Sequence, residues 1–133
     1  MEMNELFGLA KEAALKSYSP YSKFRVGAAL LCDDGSVVCA ANVENRSYGL
    51  SICAERSAIV SAIAQGKRKF AALAVACPDA EYPVSPCGAC RQFISEFVEK
   101  DFPVRFGGSD GSFVDTNMEE LFPYDALHEL ADR

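Results

Sequence analysis

The chain has 133 residues, half of them apolar and 24% charged, with a formal net charge of −6. This length suits one soluble domain over residues 1–133, able to bury a working core without disulfides, and no apolar run is long enough to span a bilayer. The acidic balance argues against a nucleic-acid partner, which would need clustered Lys and Arg, and favours a small neutral or cationic substrate.

The first sixteen residues, "MEMNELFGLAKEAALK", carry acids where a secretion signal would be basic, so a cytoplasmic location is expected. From Asn4 to about Ser17 the spacing of Leu6, Leu9, Ala10 and Ala13 predicts a helix, with Asn4 as N-cap. Pro20 breaks it. "VGAALLC" and "SVVCAANV", joined by "DDG", read as a β-hairpin. A second helix is predicted from near Cys53 to Gly66, burying Ile59 and Ile63. The basic run Gly66–Lys69 then sits where it complements that helix's negative end.

"ALAVAC" is wholly apolar, as a strand covered on both faces should be. A third helix is expected after Pro86, pairing Phe93 with Phe97 and Ile94 with Val98, and ending before Pro103. "PVRF" and "SFVD" read as two more strands, and "YDALHELADR" as a final helix. The order α-β-β-α-β-α-β-β-α is that of a layered α/β domain.

With no export signal, the six cysteines point to metal binding or burial rather than disulfides. Cys32, Cys39 and Cys77 lie in predicted strands without polar company and read as small buried hydrophobes. Cys53, Cys87 and Cys90 differ, because each lies where a helix begins and Cys87-x-x-Cys90 has metal-pair spacing. His128, the only histidine, has no ligand partner at helical spacing and reads as a surface residue. Three ligands with no fourth suit a catalytic zinc, which keeps a position for water. A structural zinc module would need the fourth ligand and would leave Glu55 idle.

Glu55, two residues after Cys53, is either a favourable helix N-terminal charge or a proton shuttle for water on the metal; the open site favours the shuttle. Arg56 is either an exposed surface arginine or a donor that offsets the three thiolates' negative charge.

"CAER" followed by "SPCGACRQF", with "SPYSKFRVGAAL" and "NVEN" upstream, resembles the cytidine deaminase family in its three-cysteine branch. The resemblance implies a three-layer α-β-α fold around a mixed five-stranded sheet and one zinc ion per chain. It implies that zinc-bound hydroxide attacks carbon 4 of cytosine while Glu55 shuttles protons, converting cytidine and deoxycytidine to uridine and deoxyuridine in pyrimidine salvage. Asn42 and Glu44 match the family's ribose binders, though alone they would read as a strand end entering a polar loop. Phe24 matches the aromatic that packs on the base; read alone, it is a core phenylalanine. Ala54 and Tyr48 are expected to shape the pocket. The family also implies a homotetramer with pockets completed by neighbours. "LFPYDAL" lacks the family's usual capping phenylalanine, so Phe122 or Tyr124 would have to substitute, or the pocket cap would differ.

Overall fold

The computed structural model describes residues 1–126 and residue 130. The elements are α1 (Met3–Ala14), β1 (Gly27–Cys32), β2 (Val37–Ala41), α2 (Ala54–Ala64), β3 (Phe70–Cys77), α3 (Gly88–Ser95), β4 (Pro103–Gly108), β5 (Phe113–Asn117) and α4 (Met118–Leu121). A 3-10 turn at Tyr48–Leu50 precedes α2. The five strands form one sheet in the order β2-β1-β3-β4-β5. Only β3 and β4 run parallel, so the sheet is mixed as expected.

Strand alternation sorts the core into two layers. On one face, Ala28, Leu30, Leu73 and Val75 pack with Ala58, Ile59 and Ala62 of α2 and Ile94 of α3. On the other, Ala29, Ala72, Ala74 and Ala76 meet Leu6, Phe7 and Ala10 of α1. The alanine face lets α1 sit close to the sheet. At Gly27 an added Cβ would fall 2.0 Å from Ala10 O, so only glycine fits where the helix crosses the start of β1. Burying a side chain such as Leu73 contributes about 1.5–3 kcal/mol, which makes the larger-residue face the chief source of cohesion.

α2 ends as its sequence predicts. Gly66 adopts φ +88, its N–H donates to Ile63 O, and Lys67 N–H donates to Ala62 O, closing a Schellman motif. Arg68 Nη1 also donates to Ile63 O at 2.9 Å, so the basic run does complement this helix end.

Four expectations change. Glu2, not Asn4, caps α1, in a reciprocal box with Glu5, while Asn4 Oδ1 accepts from Arg105 Nη1 at 2.7 Å. α3 stops at Ser95; a shorter i→i+3 bond from Phe97 N to Ile94 O takes over, yet the Phe93 and Phe97 rings still pair at 5.5 Å. Cys39 is exposed rather than buried, because it lies on edge strand β2, where an open cavity separates it from Leu9, Glu12 and Ala13 of α1; Cys32 and Cys77 are buried. Of the expected C-terminal helix, Tyr124–Ala126 is not helical, and residues 127–129 and 131–133 lie outside the described residues. The last described helix is instead α4, capped by the Asn117 side chain, which accepts from Glu120 N at 2.9 Å.

Candidate active site

α2 and α3 both begin at a cysteine. Cys53 and Cys87 occupy the N-cap positions with extended backbone, and their carbonyls accept from Ser57 N and Arg91 N to start each helix. Cys90 follows one turn into α3 and is fully buried. The Sγ atoms of Cys53 and Cys87 are 4.0 Å apart, and all three sulfurs lie within 4.8 Å of one another. A tetrahedral zinc with bonds of about 2.3 Å spaces its thiolates about 3.8 Å apart, so this donor set fits zinc with little adjustment. Among the described residues, no fourth His, Cys, Asp or Glu joins the cluster, and His128 lies outside them.

The charge balance of such a site has a visible origin. Three thiolates against a +2 ion leave one excess negative charge, and each helix N-terminus offers about half a positive charge. Arg56 Nη2 donates to Cys53 Sγ at 3.5 Å, and its Nε is buried beside the cluster without a protein partner. The Cys53 thiol is held well below its ordinary value by hydrogen bonding with Cys90 and then by Arg56, while the same bond and burial push Cys90 up.

Glu55 sits in the first turn of α2 and is only 4% exposed. Burial pushes its carboxyl up to about 7. Its charge also helps raise the Cys77 thiol, after burial. A carboxyl near neutrality can both accept and donate a proton, as a shuttle must.

The residues expected to contact the substrate gather at the same end of the sheet. Val43 bridges Ile52, so "NVEN" runs directly alongside the approach to Cys53. Asn42 Nδ2 donates to Phe24 O at 2.9 Å, and its Oδ1 accepts from Val26 N at 3.0 Å and from Ser17 Oγ. Glu44 Oε1 accepts from Tyr21 N and Ser22 N, and Oε2 from Ser22 Oγ. A cavity of about 330 Å³ opens between Tyr21, Ser22, Glu44, Tyr48 and Ser51. Tyr48 stands exposed there against Tyr21, at a ring separation of 5.9 Å. Ala54 is fully buried at the first residue of α2, and Phe24 is half-buried. A larger cavity of about 470 Å³, near Val98, Met118 and Phe122, is lined by none of Cys53, Glu55, Cys87 and Cys90.

One positioning residue escaped the sequence reading. Arg91 Nε donates to Pro86 O at 2.7 Å, Nη2 to Ser85 Oγ and Nη1 to Leu121 O, both at 3.0 Å. It binds the segment before Cys87 to the helix after it. Its place directly after Cys90 was visible in the sequence; its acceptors were not.

The model of the cytidine and deoxycytidylate deaminase zinc-binding region matches residues 1–105. The chain belongs to this deaminase family. Cytidine deaminases of Sporosarcina psychrophila and Halalkalibacterium halodurans are each 46% identical to it over 123 residues. Each of these alignments covers 92% of this chain, and 90% and 92% of the relatives respectively. The 1.6 Å crystal structure of the Burkholderia pseudomallei cytidine deaminase superposes with a TM-score of 0.89 at 44% identity, covering 93% of this chain and 98% of that one. The three-thiol cluster lies within the matched region and is consistent with one zinc ion.

Proposed function

We infer that the protein is a zinc-dependent hydrolase that deaminates cytidine and deoxycytidine to uridine and deoxyuridine, releasing ammonia. The observation that carries this is one buried carboxyl, Glu55, set beside three thiols at two helix N-termini. Cys53, Cys87 and Cys90 would hold the ion, which supplies a Lewis acid able to make water acidic near neutral pH. Glu55 takes a proton from the attacking water as its oxygen joins carbon 4 and delivers it to ring nitrogen 3; it then carries the second proton, from the new carbon-4 hydroxyl, to the amino group, which leaves as ammonia as the C–N bond breaks. Arg56 and the two helix ends balance the thiolates.

The sugar side follows from donor and acceptor arithmetic. The Glu44 carboxylate offers about four acceptor sites, and the loop takes three; Asn42 keeps one amide proton beyond the one given to Phe24. One acceptor and one donor remain, enough to grip a ribose hydroxyl. Phe24 packs on the base, with Ala54 and Tyr48 shaping the pocket.

Residues 1–133 act as one catalytic domain in the cytoplasm, within pyrimidine salvage. Among the described residues, no helix is long and apolar enough to cross a membrane. The enzyme works as a homotetramer, supported by an exposed apolar band of Tyr18, Val43, Leu50 and Ile52 beside the pocket. Tyr124, 91% exposed, reaches a neighbouring site, whereas Phe122 packs on its own core.

The test is loss of cytidine absorbance by the purified, zinc-loaded protein, with deoxycytidine and deoxycytidine monophosphate in parallel. Turnover of both nucleosides, one zinc per chain and a tetramer by light scattering are expected. Zinc binding without nucleoside turnover overturns the assignment, and preference for the monophosphate moves it to a nucleotide substrate.

A further inference from the structure

The segment entering β1 is held from outside at three consecutive residues. Phe24 and Val26 are bonded to Asn42, as described, and Val26 O also accepts from Asn42 N at 3.1 Å. Arg25, between them, is held from the other side. Its backbone N donates to Asp79 Oδ2 at 2.8 Å, and its guanidinium forks onto the same carboxylate, Nε to Oδ2 at 3.0 Å and Nη2 to Oδ1 at 2.8 Å. One carboxylate thus fixes both the main chain and the side chain of a single residue.

Just upstream, Lys23 has φ +62 and is the only non-glycine residue with a positive φ among the described residues. A left-handed lysine persists only where its surroundings hold it there. Its own N–H is bonded to Ser19 O, and Phe24 N donates to Ser22 Oγ at 3.0 Å. The kink at Lys23 sets the direction in which Phe24 leaves the turn, and the Asp79 grip on Arg25 lies immediately beyond. Asp79 itself follows β3 by two residues, on the connection that leads to Cys87. The two segments it joins are therefore the one carrying Phe24 and the one carrying a thiol ligand.

We propose that Asp79 is a positioning residue for the base pocket: by gripping Arg25 through backbone and guanidinium together, it maintains the Lys23 kink and the pose of the Phe24 ring. This rests on the reading of Phe24 as the base-facing aromatic. Without the carboxylate, Arg25 turns to solvent, Lys23 relaxes toward the right-handed region, and Phe24 loses its fixed pose. Among the described residues the hydrogen bonds of Asp79 all go to Arg25 and none to α2 or α3, which carry Glu55 and the thiols, so the chemical step survives. A wall that contacts the base equally in ground and transition states governs KM rather than kcat.

The test compares cytidine kinetics of the zinc-loaded wild type with Asp79→Ala, Asp79→Asn, Phe24→Ala and the double variant Phe24→Ala/Asp79→Ala. Asp79→Ala is expected to raise KM about tenfold while kcat stays within about twofold and zinc content is unchanged. Asp79→Asn keeps an acceptor for the Arg25 N–H and should fall between the two; if Asp79→Ala does not fold, a raised KM in Asp79→Asn carries the test. In the Phe24→Ala background, removing Asp79 should add nothing, because both act through one contact. A wild-type KM in Asp79→Ala, a loss confined to kcat, or an additive effect in the double variant overturns the proposal. If Phe24→Ala raises KM and Asp79→Ala does not, only the grip on Arg25 is wrong. If Phe24→Ala itself leaves KM unchanged, the reading of Phe24 fails and takes this inference with it.

Discussion

Cys53 and Cys87 are held by the backbone of the helices they begin, whereas Phe24 and Arg25 are held by side chains 18 and 54 residues away. The metal cluster needs two helix starts and the contact between α2 and α3. The segment entering β1 needs Asn42, Glu44 and Asp79, delivered by β2, the loop after it and the end of β3. On the proposed roles, chemistry is placed on rigid, locally specified elements, and substrate shape on a loop assembled at long range. Damage to the first should abolish turnover or metal binding; damage to the second should weaken binding by degrees.

The sharpest test of that division is Glu55→Gln. Turnover should fall at least about a thousandfold, with zinc content and thermal midpoint retained, because only a proton carrier is lost. Turnover within tenfold of wild type would remove the shuttle from the helical side of the comparison. Next comes Arg56→Ala, for which zinc affinity measured against a competing chelator should drop roughly 10–100-fold, as for lost outer-shell support. Wild-type affinity would make Arg56 a bystander and leave the two helix ends to balance the thiolates.

On the loop side, Asn42→Ala strips partners from Val26 N–H and Phe24 O. Denaturant unfolding should show a loss of about 1–3 kcal/mol, accompanied by a raised KM for cytidine. Unchanged stability would mean that the segment holds itself. The smallest effect concerns Asp79. Arg25, by its side-chain and then its backbone hydrogen bonds, holds the Asp79 carboxyl below its ordinary value of 3.8. A depressed carboxyl stabilises the fold above the unfolded value, and that contribution is lost as pH falls through the folded value. The difference in thermal midpoint between metal-free wild type and metal-free Asp79→Asn should therefore be present at pH 6 and close on acidification below about 3.8. It should also shrink with salt, since the pair is partly exposed. A difference that ignores both pH and salt would show that charge plays no part in holding Arg25.

Much of this architecture is legible in the sequence because the signals are local. Gly66 stops α2 whatever surrounds it, since its left-handed turn closes carbonyls only a few residues back. Cys53 and the Cys87-x-x-Cys90 pair mark helix starts by their own neighbours. Asn4 shows where such reasoning stops. It is a sound N-cap candidate by residue type, yet its side chain is used by Arg105, 101 residues away, which also stacks on Phe113 and pairs with Asp115. Cys39 looks like any strand cysteine until the sheet order puts it on an edge.

The sequence by itself determined the order of elements as far as β5, the three cysteines at two helix starts and the carboxyl beside the first of them. Periodicity, turn residues and motif spacing act within a few residues, so their consequences can be read along the chain. Only the tertiary structure decided which strands are neighbours, and with that the burial that lifts Glu55, the acceptors of Arg91 and the grip of Asp79 on Arg25. Those depend on groups far apart in the chain meeting at one end of a sheet, and no local preference encodes such a meeting.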